Sequence, residues 1–347
     1  MKSNHFKRVF ILALMIGLGF VFALACTIGP EKIPLSHSIK IILSKIPIIK
    51  NFIDLSDVKD SHQIILLVVR IPRVIGASLV GMALAGAGVV FQGVLRNPLA
   101  EPYILGVSSG AAFGATFVIV TGISFSIIGL SAISIGAFIG ALVTMYVVYN
   151  ISRMGIKSSV TTLLLSGIAV SFLLSSMVSL MIALNRDKLE QIVFWTMGSL
   201  NAVKMAQVQV IVLPILFCLL VFIFFSRDLN VMLLGEESAT SMGIDVNFIR
   251  KVLLATASMA TAFSVSISGI IGFVGLIIPH AMRIIIGPNH KYLTPASILS
   301  GGIFLILSDT IARTIIAPNQ LPLGVVTAVI GAPYFIFLLY KSNVGRF

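Results

Sequence analysis

Twelve carboxylates, five histidines and two cysteines are the acids, bases and soft metal ligands that this 347-residue sequence offers for chemistry. Their spacing builds no catalytic or metal-binding pattern. Glu31, Asp54, Asp57, Asp60, Glu101, Asp187, Glu190, Asp228, Glu236, Glu237 and Asp245 fall in polar breaks or at segment ends. Asp309 is the exception, since it stands in an apolar run with Arg313 four positions on, one helical turn away. An ion pair at a helix end is the plain reading; a proton relay is the sharper one, because carboxylates at membrane depth commonly serve ion coupling. His280 follows Pro279 in an apolar run and has no second ligand near it, while His290 sits by a polar break. Cys26 and Cys218 lie in different apolar segments, so neither a disulfide framework nor a metal site follows. No Gly-Lys dipeptide occurs, which excludes a phosphate-cradling loop of the GxxxxGK[ST] type. The chain is therefore expected to hydrolyse no ATP, to catalyse no covalent reaction and to hold no cofactor or metal.

The elements that position these residues are apolar. Hydrophobic residues make up 58% and charged residues 10%, against about 25% charged in a soluble domain. With a mean hydropathy of +1.09, the expected fold is an all-α, polytopic membrane protein in one domain, residues 1–347. The net charge of +12 does not indicate nucleic acid, because the basic residues are scattered at segment ends with no interleaved aromatic run. They orient a membrane protein instead.

Cutting at polar breaks gives about ten spans, near 8–28, 72–95, 103–121, 126–150, 161–184, 207–226, 250–269, 271–287, 295–315 and 321–341. Only a short turn separates the seventh from the eighth. Residues 23–26 faintly resemble a lipoprotein cleavage site, but the run 9–28 is long enough to span, and an uncleaved first helix is expected. An even number of spans puts both termini on one side, and Lys2, Lys7, Arg8, Lys341 and Arg346 favour the cytoplasm. Arg96, Arg153, Lys157, Arg227, Arg250, Lys251 and Lys291 then also lie inside. Lys32, Lys40, Lys45, Lys50 and Lys59, in the external loop 29–63, run against that rule. A short amphipathic helix is expected within this loop, around 39–53. Gly88, Pro98 and Ala100 recur at the spacing of Gly269, Pro279 and Ala281, a candidate inverted repeat.

Between spans six and seven, in the cytoplasmic loop 227–249, Glu236 and Glu237 suit the first turn of a short helix and Gly243 its stop. Such a helix can serve as a rigid knob for a partner, or simply as a capped loop.

Gly- and Pro-broken apolar blocks run from 70 to 111, from 272 to 283 (GFVGLIIPHAMR) and from 321 to 335 (LPLGVVTAVIGAPYF). Gly lets helix backbones approach and Pro frees backbone groups at defined points. In order they present Arg70-Ile71-Pro72-Arg73, Asn97-Pro98-Leu99-Ala100-Glu101-Pro102, the run 105–110 (LGVSSG), Pro279-His280, Asp309 with Arg313, and Leu321-Pro322-Leu323-Gly324. This order and spacing, from 70 to 341, resembles the FecCD family of permeases, membrane subunits of ABC importers for iron-siderophores, haem and cobalamin.

The resemblance implies a fold like that of the cobalamin importer permease and a type II importer. Its parts are a homodimer of the permease, two cytoplasmic ABC ATPases that carry ATP and Mg, and an extracellular or periplasmic binding protein. It assigns ATPase coupling to Glu236, Glu237, Ser238, Ala239 and Gly243, which resemble the EAA loop. Binding-protein docking falls to Arg70, Arg73 and Arg313, whose forks suit carboxylates. The cytoplasmic gate falls to Ser158 and Ser159, for which helix N-capping is the alternative. Residues 187–200, with Trp195, resemble the short external helix after span five. The expected function is import of a metal chelate by alternating access across the cell's cytoplasmic membrane. Ferric siderophore is the leading cargo; haem, cobalamin and oxyanions such as molybdate are the others. The competing class is an ion-coupled secondary transporter acting without an ATPase.

Overall fold

The computed structural model describes residues 3–45, 54–153 and 160–343, and 79% of the structure is helical. Helix α1 (Asn4–Thr27) starts on the cap that Ser3 gives to the Phe6 amide. The loop beyond it carries α2 (Leu35–Leu43) and α3 (Asp60–Ile64). The short helix of this loop thus begins four residues before the expected 39, and residues 46–53 lie outside the described residues.

A π turn, Ile65–Arg70, joins α3 to α4 (Ile71–Val94) in one 35-residue span. Pro72 has no N–H for the usual acceptor four residues back. The wider turn absorbs this, with Ile71 N–H reaching Leu66 O five residues back. Then follow α5 (Val107–Thr121), α6 (Ala132–Ser152), α7 (Val160–Leu184), the short α8 (Leu189–Thr196) and α9 (Met205–Phe224). After them come α10 (Ser226–Met232), α11 (Glu236–Ser241), α12 (Val246–Ser268), α13 (Val274–Ile286), α14 (His290–Thr314) and α15 (Leu323–Asn343). Among the described residues seven helices are long and apolar enough to cross a membrane, and α5, α13 and α15 supply shorter apolar segments. Each of the ten expected spans has its helix. Chain direction puts both termini on one face, called here the termini face, and the loop between α1 and α4 on the other, the loop face.

Position in the bundle follows side-chain size. Within the chain 83% of the α4 span is buried, against 11% for α1 and α7. Helix α4 is the axis, and its small residues let neighbours approach to backbone contact. A Cβ added at Gly81 would stand 2.2 Å from Gly301 O on α14, and one at Gly88 1.9 Å from Gly275 O on α13. Helices α5 and α6 cross the same way, Gly114 against Gly136 O at 2.0 Å.

The break between α12 and α13 is a tertiary construction. Gly269 (φ 65°) and Phe273 (φ 68°) turn the chain, and the 13 residues of α13 run about 20 Å, short of the roughly 30 Å hydrocarbon core. The non-helical stretch before it needs partners, since unsatisfied backbone at membrane depth is costly. Tyr103 supplies them: its hydroxyl donates to Ile271 O at 2.8 Å and accepts from Ile271 N–H at 3.2 Å. The proposed repeat does not survive. Gly88 lies mid-helix in α4 with Pro98 in the following loop, whereas Gly269 ends α12 and Pro279 stands inside α13.

Candidate functional site

On the termini face, α10 and α11 form a bracket between α9 and α12. Gly235 (φ 123°) and Gly243 (φ 83°) bound α11 in backbone conformations that a Cβ resists. Glu236 and Glu237 occupy the first turn, where the exposed N–H groups favour negative charge. Thr240 Oγ1 and Ser241 Oγ donate back to Glu236 O and Glu237 O, both at 2.9 Å. Glu236 pairs with Arg250 of α12, and Asp245 caps α12 by accepting from Phe248 N–H at 2.9 Å. The short helix is therefore braced at both ends.

Its outward face consists of Glu237, Ser238, Thr240, Ser241 and Gly243, all exposed. Ala239 does not belong to that face. It is fully buried, and its carbonyl accepts from Ile244 N–H at 3.1 Å, so it seats α11 on the bundle. Around the helix stand Leu234 (69% exposed), Met242 (64%) and Phe248 (57%). Leu234 and Met242 lie on the polar loop and Phe248 in the first turn of α12, and exposed large apolar side chains gathered around one short helix mark an interaction surface. The sequence reading passed over these three, although an apolar side chain in a polar stretch was the available signal.

On the loop face, the expected docking residues Arg70, Arg73 and Arg313 are buried. Their exposures are 3%, 4% and 3%. Arg70 donates from Nη1 to Cys26 O (2.9 Å) and Thr27 O (2.8 Å), and from Nη2 to Glu31 O, closing the end of α1. Arg73 Nε donates to both Asp309 oxygens, at 2.9 and 3.0 Å. Arg73 Nη1 reaches Gln320 Oε1 (2.7 Å) and Asn201 Oδ1 (3.2 Å), two partners that the sequence did not single out. Arg313 Nη2 donates to Ala25 O at 2.6 Å, and its Nε stands 3.7 Å from Asp309. Burying a guanidinium is tolerable only with such acceptors, and here the chain itself provides them.

Near this node the link after α8 is laced to its neighbours by backbone. Ser199 N–H donates to Ser268 O (2.7 Å), Leu323 N–H to Gly198 O (2.8 Å) and Gly324 N–H to Met197 O (3.1 Å). Helix α8 is the short helix expected at 187–200, and Trp195 is half-buried against the core. Ser158 and Ser159 lie outside the described residues. His280 is half-buried, with Nε2 unpartnered. Cys26 and Cys218 are buried free thiols. No group of three or more His, Cys, Asp and Glu side chains among the described residues is placed to hold a metal.

Comparison with known proteins gives these features a setting. The cobalamin import system permease protein BtuC of Halobacterium salinarum is 40% identical over 287 residues, 83% of this chain and 76% of that protein. The hemin transport system permease protein HmuU of Yersinia pestis is 37% identical over 289 residues, 83% of this chain and 86% of that one. A solved metal-chelate type ABC transporter, in an inward-facing conformation, superposes with a TM-score of 0.81 at 32% identity, covering 95% of this chain and 98% of that one. Such permeases are transport subunits, and ATP hydrolysis lies in separate ABC subunits. Residues 15–341 match the FecCD transport family, and the chain belongs to it.

Proposed function

We propose that this chain is the translocating subunit of an ATP-driven importer of metal chelates, with ferric siderophore the first candidate cargo and haem or cobalamin the next. Two copies flank the pathway, two ATPases bind the termini face in the cytoplasm, and a binding protein delivers cargo to the loop face outside. Both chain ends are then cytoplasmic.

The braced, glycine-bounded α11, with Leu234, Met242 and Phe248 around it, carries this reading. A short rigid helix in an apolar collar can transmit a domain's movement to α9 and α12 as a lever rather than absorb it. Coupling contact falls to Glu237, Ser238 and Gly243, with Glu236 and Ala239 holding the helix from below. The arginine node keeps a part in docking by fixing the surface from beneath. Ser158 and Ser159 remain the gate candidates, between α6 and α7.

The secondary-transporter reading loses support from Asp309. The best candidate for a proton carrier is 1% exposed and held between two guanidiniums. A carboxylate so pinned serves as a structural acceptor. The test is reconstitution in vesicles with the ATPase and binding protein, following labelled ferric siderophore. Uptake that needs both partners and ATP supports the proposal; uptake driven by an ion gradient without the ATPase overturns it.

A further inference from the structure

A second polar feature lies on the termini face, separate from the outer surface of α11. A cavity of about 270 Å³ opens where α4 ends, between the α10–α11 link and the turn from α13 to α14. Its polar walls are Gln92, Arg96, Arg283 and His290, and among the described residues no carboxylate lines it. Arg283 Nη2 donates to Gln92 Oε1 at 2.8 Å. Gln92 is held in turn by donating from Nε2 to Gly275 O and Leu276 O, both at 3.3 Å. Arg283 Nη1, by contrast, is shut from solvent with no partner. His290 Nδ1 faces Asn230 Oδ1 at 3.1 Å, and its Nε2, like Arg283 Nη1, is without a partner.

Arg96 completes the pair. It is exposed, and it takes a left-handed backbone (φ 49°) that is uncommon for a residue with a side chain. One of its five N–H groups is committed, Nη2 donating to Met232 O at 2.7 Å. A buried cationic N–H without an acceptor is costly, and two guanidiniums facing one cavity repel unless negative charge lies between them. Arg313 Nε and Arg250 Nε are likewise without a hydrogen-bond partner, but each has a carboxylate paired with its guanidinium, Asp309 and Glu236; Arg283 has none. The planar fork of arginine matches phosphate oxygens, and the cavity sits where the apolar spans stop, the level of lipid headgroups.

We propose that this cavity binds a phosphate-type anion whose oxygens accept from the Arg283 guanidinium and from the free N–H groups of Arg96. The source is the phosphodiester of a lipid or free phosphate. A bound anion bridges Arg283 on α13 to Arg96, which already holds the end of α10, and so ties the α10–α11 bracket to the bundle. This site is independent of the cargo and of the coupling role given to α11.

The test uses the purified full chain. Native mass spectrometry after extraction from phosphatidylglycerol or phosphatidylcholine bilayers probes lipid, and titration with inorganic phosphate in lipid-stripped detergent probes the free anion. Retained phospholipid without phosphate binding identifies the lipid; phosphate binding that saturates at one site identifies the free anion. Arg283→Gln and Arg96→Gln should each weaken binding by about tenfold or more. Arg153→Gln, which removes an exposed positive charge from the same face, should leave it unchanged. Equal losses in all three variants would show surface charge alone and overturn the site, as would binding of neither probe. Should Arg283→Gln fail to fold, the exposed Arg96 carries the decision: unchanged binding in folded Arg96→Gln refutes the proposal.

Discussion

Arg73 Nε meets the two oxygens of Asp309 at 2.9 and 3.0 Å across 236 positions of sequence, so that a single buried ion pair pins α4 to α14. Arg313, the helical neighbour of Asp309, stands farther off at 3.7 Å and spends its Nη2 on Ala25 O. The nearer partner in sequence is thus the weaker partner in space. With Gln320 and Asn201 also on Arg73, α1, α4, α14 and two loops converge on one carboxylate.

Removing one side of that pair strands a buried charge. Arg73→Gln or Asp309→Asn should each destabilise the protein by about 3–5 kcal/mol. The double variant should cost less than the sum, because neither charge is left alone. Thermal unfolding in detergent, scored as a double-mutant cycle, checks this. Additive losses would show that the two side chains do not act as a pair.

Tyr103→Phe removes one hydroxyl and strands two backbone groups of Ile271. The expected cost is about 1–3 kcal/mol, with exchange protection lost at 269–273 before it is lost elsewhere. Hydrogen exchange followed by mass spectrometry reads both. A uniform change over the whole chain would refute the local bracing.

At the coupling surface, two substitutions should fail for different reasons. Gly243→Val forces a β-branched side chain into φ 83°; the complex should assemble, yet ATP hydrolysis should stop responding to loaded binding protein. Ala239→Phe overpacks a fully buried position and should loosen α11, weakening assembly itself. Co-purification and stimulated ATPase activity separate the two. Normal uptake in both variants would remove α11 from coupling.

The gate prediction concerns Ser158 and Ser159. In a background with Cys26 and Cys218 replaced, cysteine at Ser159 should crosslink two copies when the cytoplasmic side is closed, since residues near a two-fold axis meet themselves. The bond requires Cα atoms within about 7 Å. Crosslinking should block uptake and reverse with reductant. Failure at both positions in every nucleotide state, with the dimer intact, moves the gate elsewhere.

Much of this protein was legible as composition and periodicity. Ten apolar stretches become helices, seven of them among the described residues long and apolar enough to cross a membrane, because bilayer thickness sets the length of an apolar run, and Glu236, Glu237 and Gly243 announce α11 because caps and left-handed turns are local matters. Tertiary structure decided what depends on neighbours. No spacing rule pairs Arg73 with Asp309, turns Ala239 inward or brings Tyr103 to Ile271, because each follows from how close two helix backbones can come. Those approaches rest on glycine pairs such as Gly81 with Gly301 and Gly88 with Gly275, whose partners lie far apart in the chain. In sequence the three arginines, two beside the start of α4 and one near the end of α14, show nothing of their partners. In three dimensions the low-dielectric interior required acceptors for them, and the fold supplied Cys26 O, Asp309 and Ala25 O.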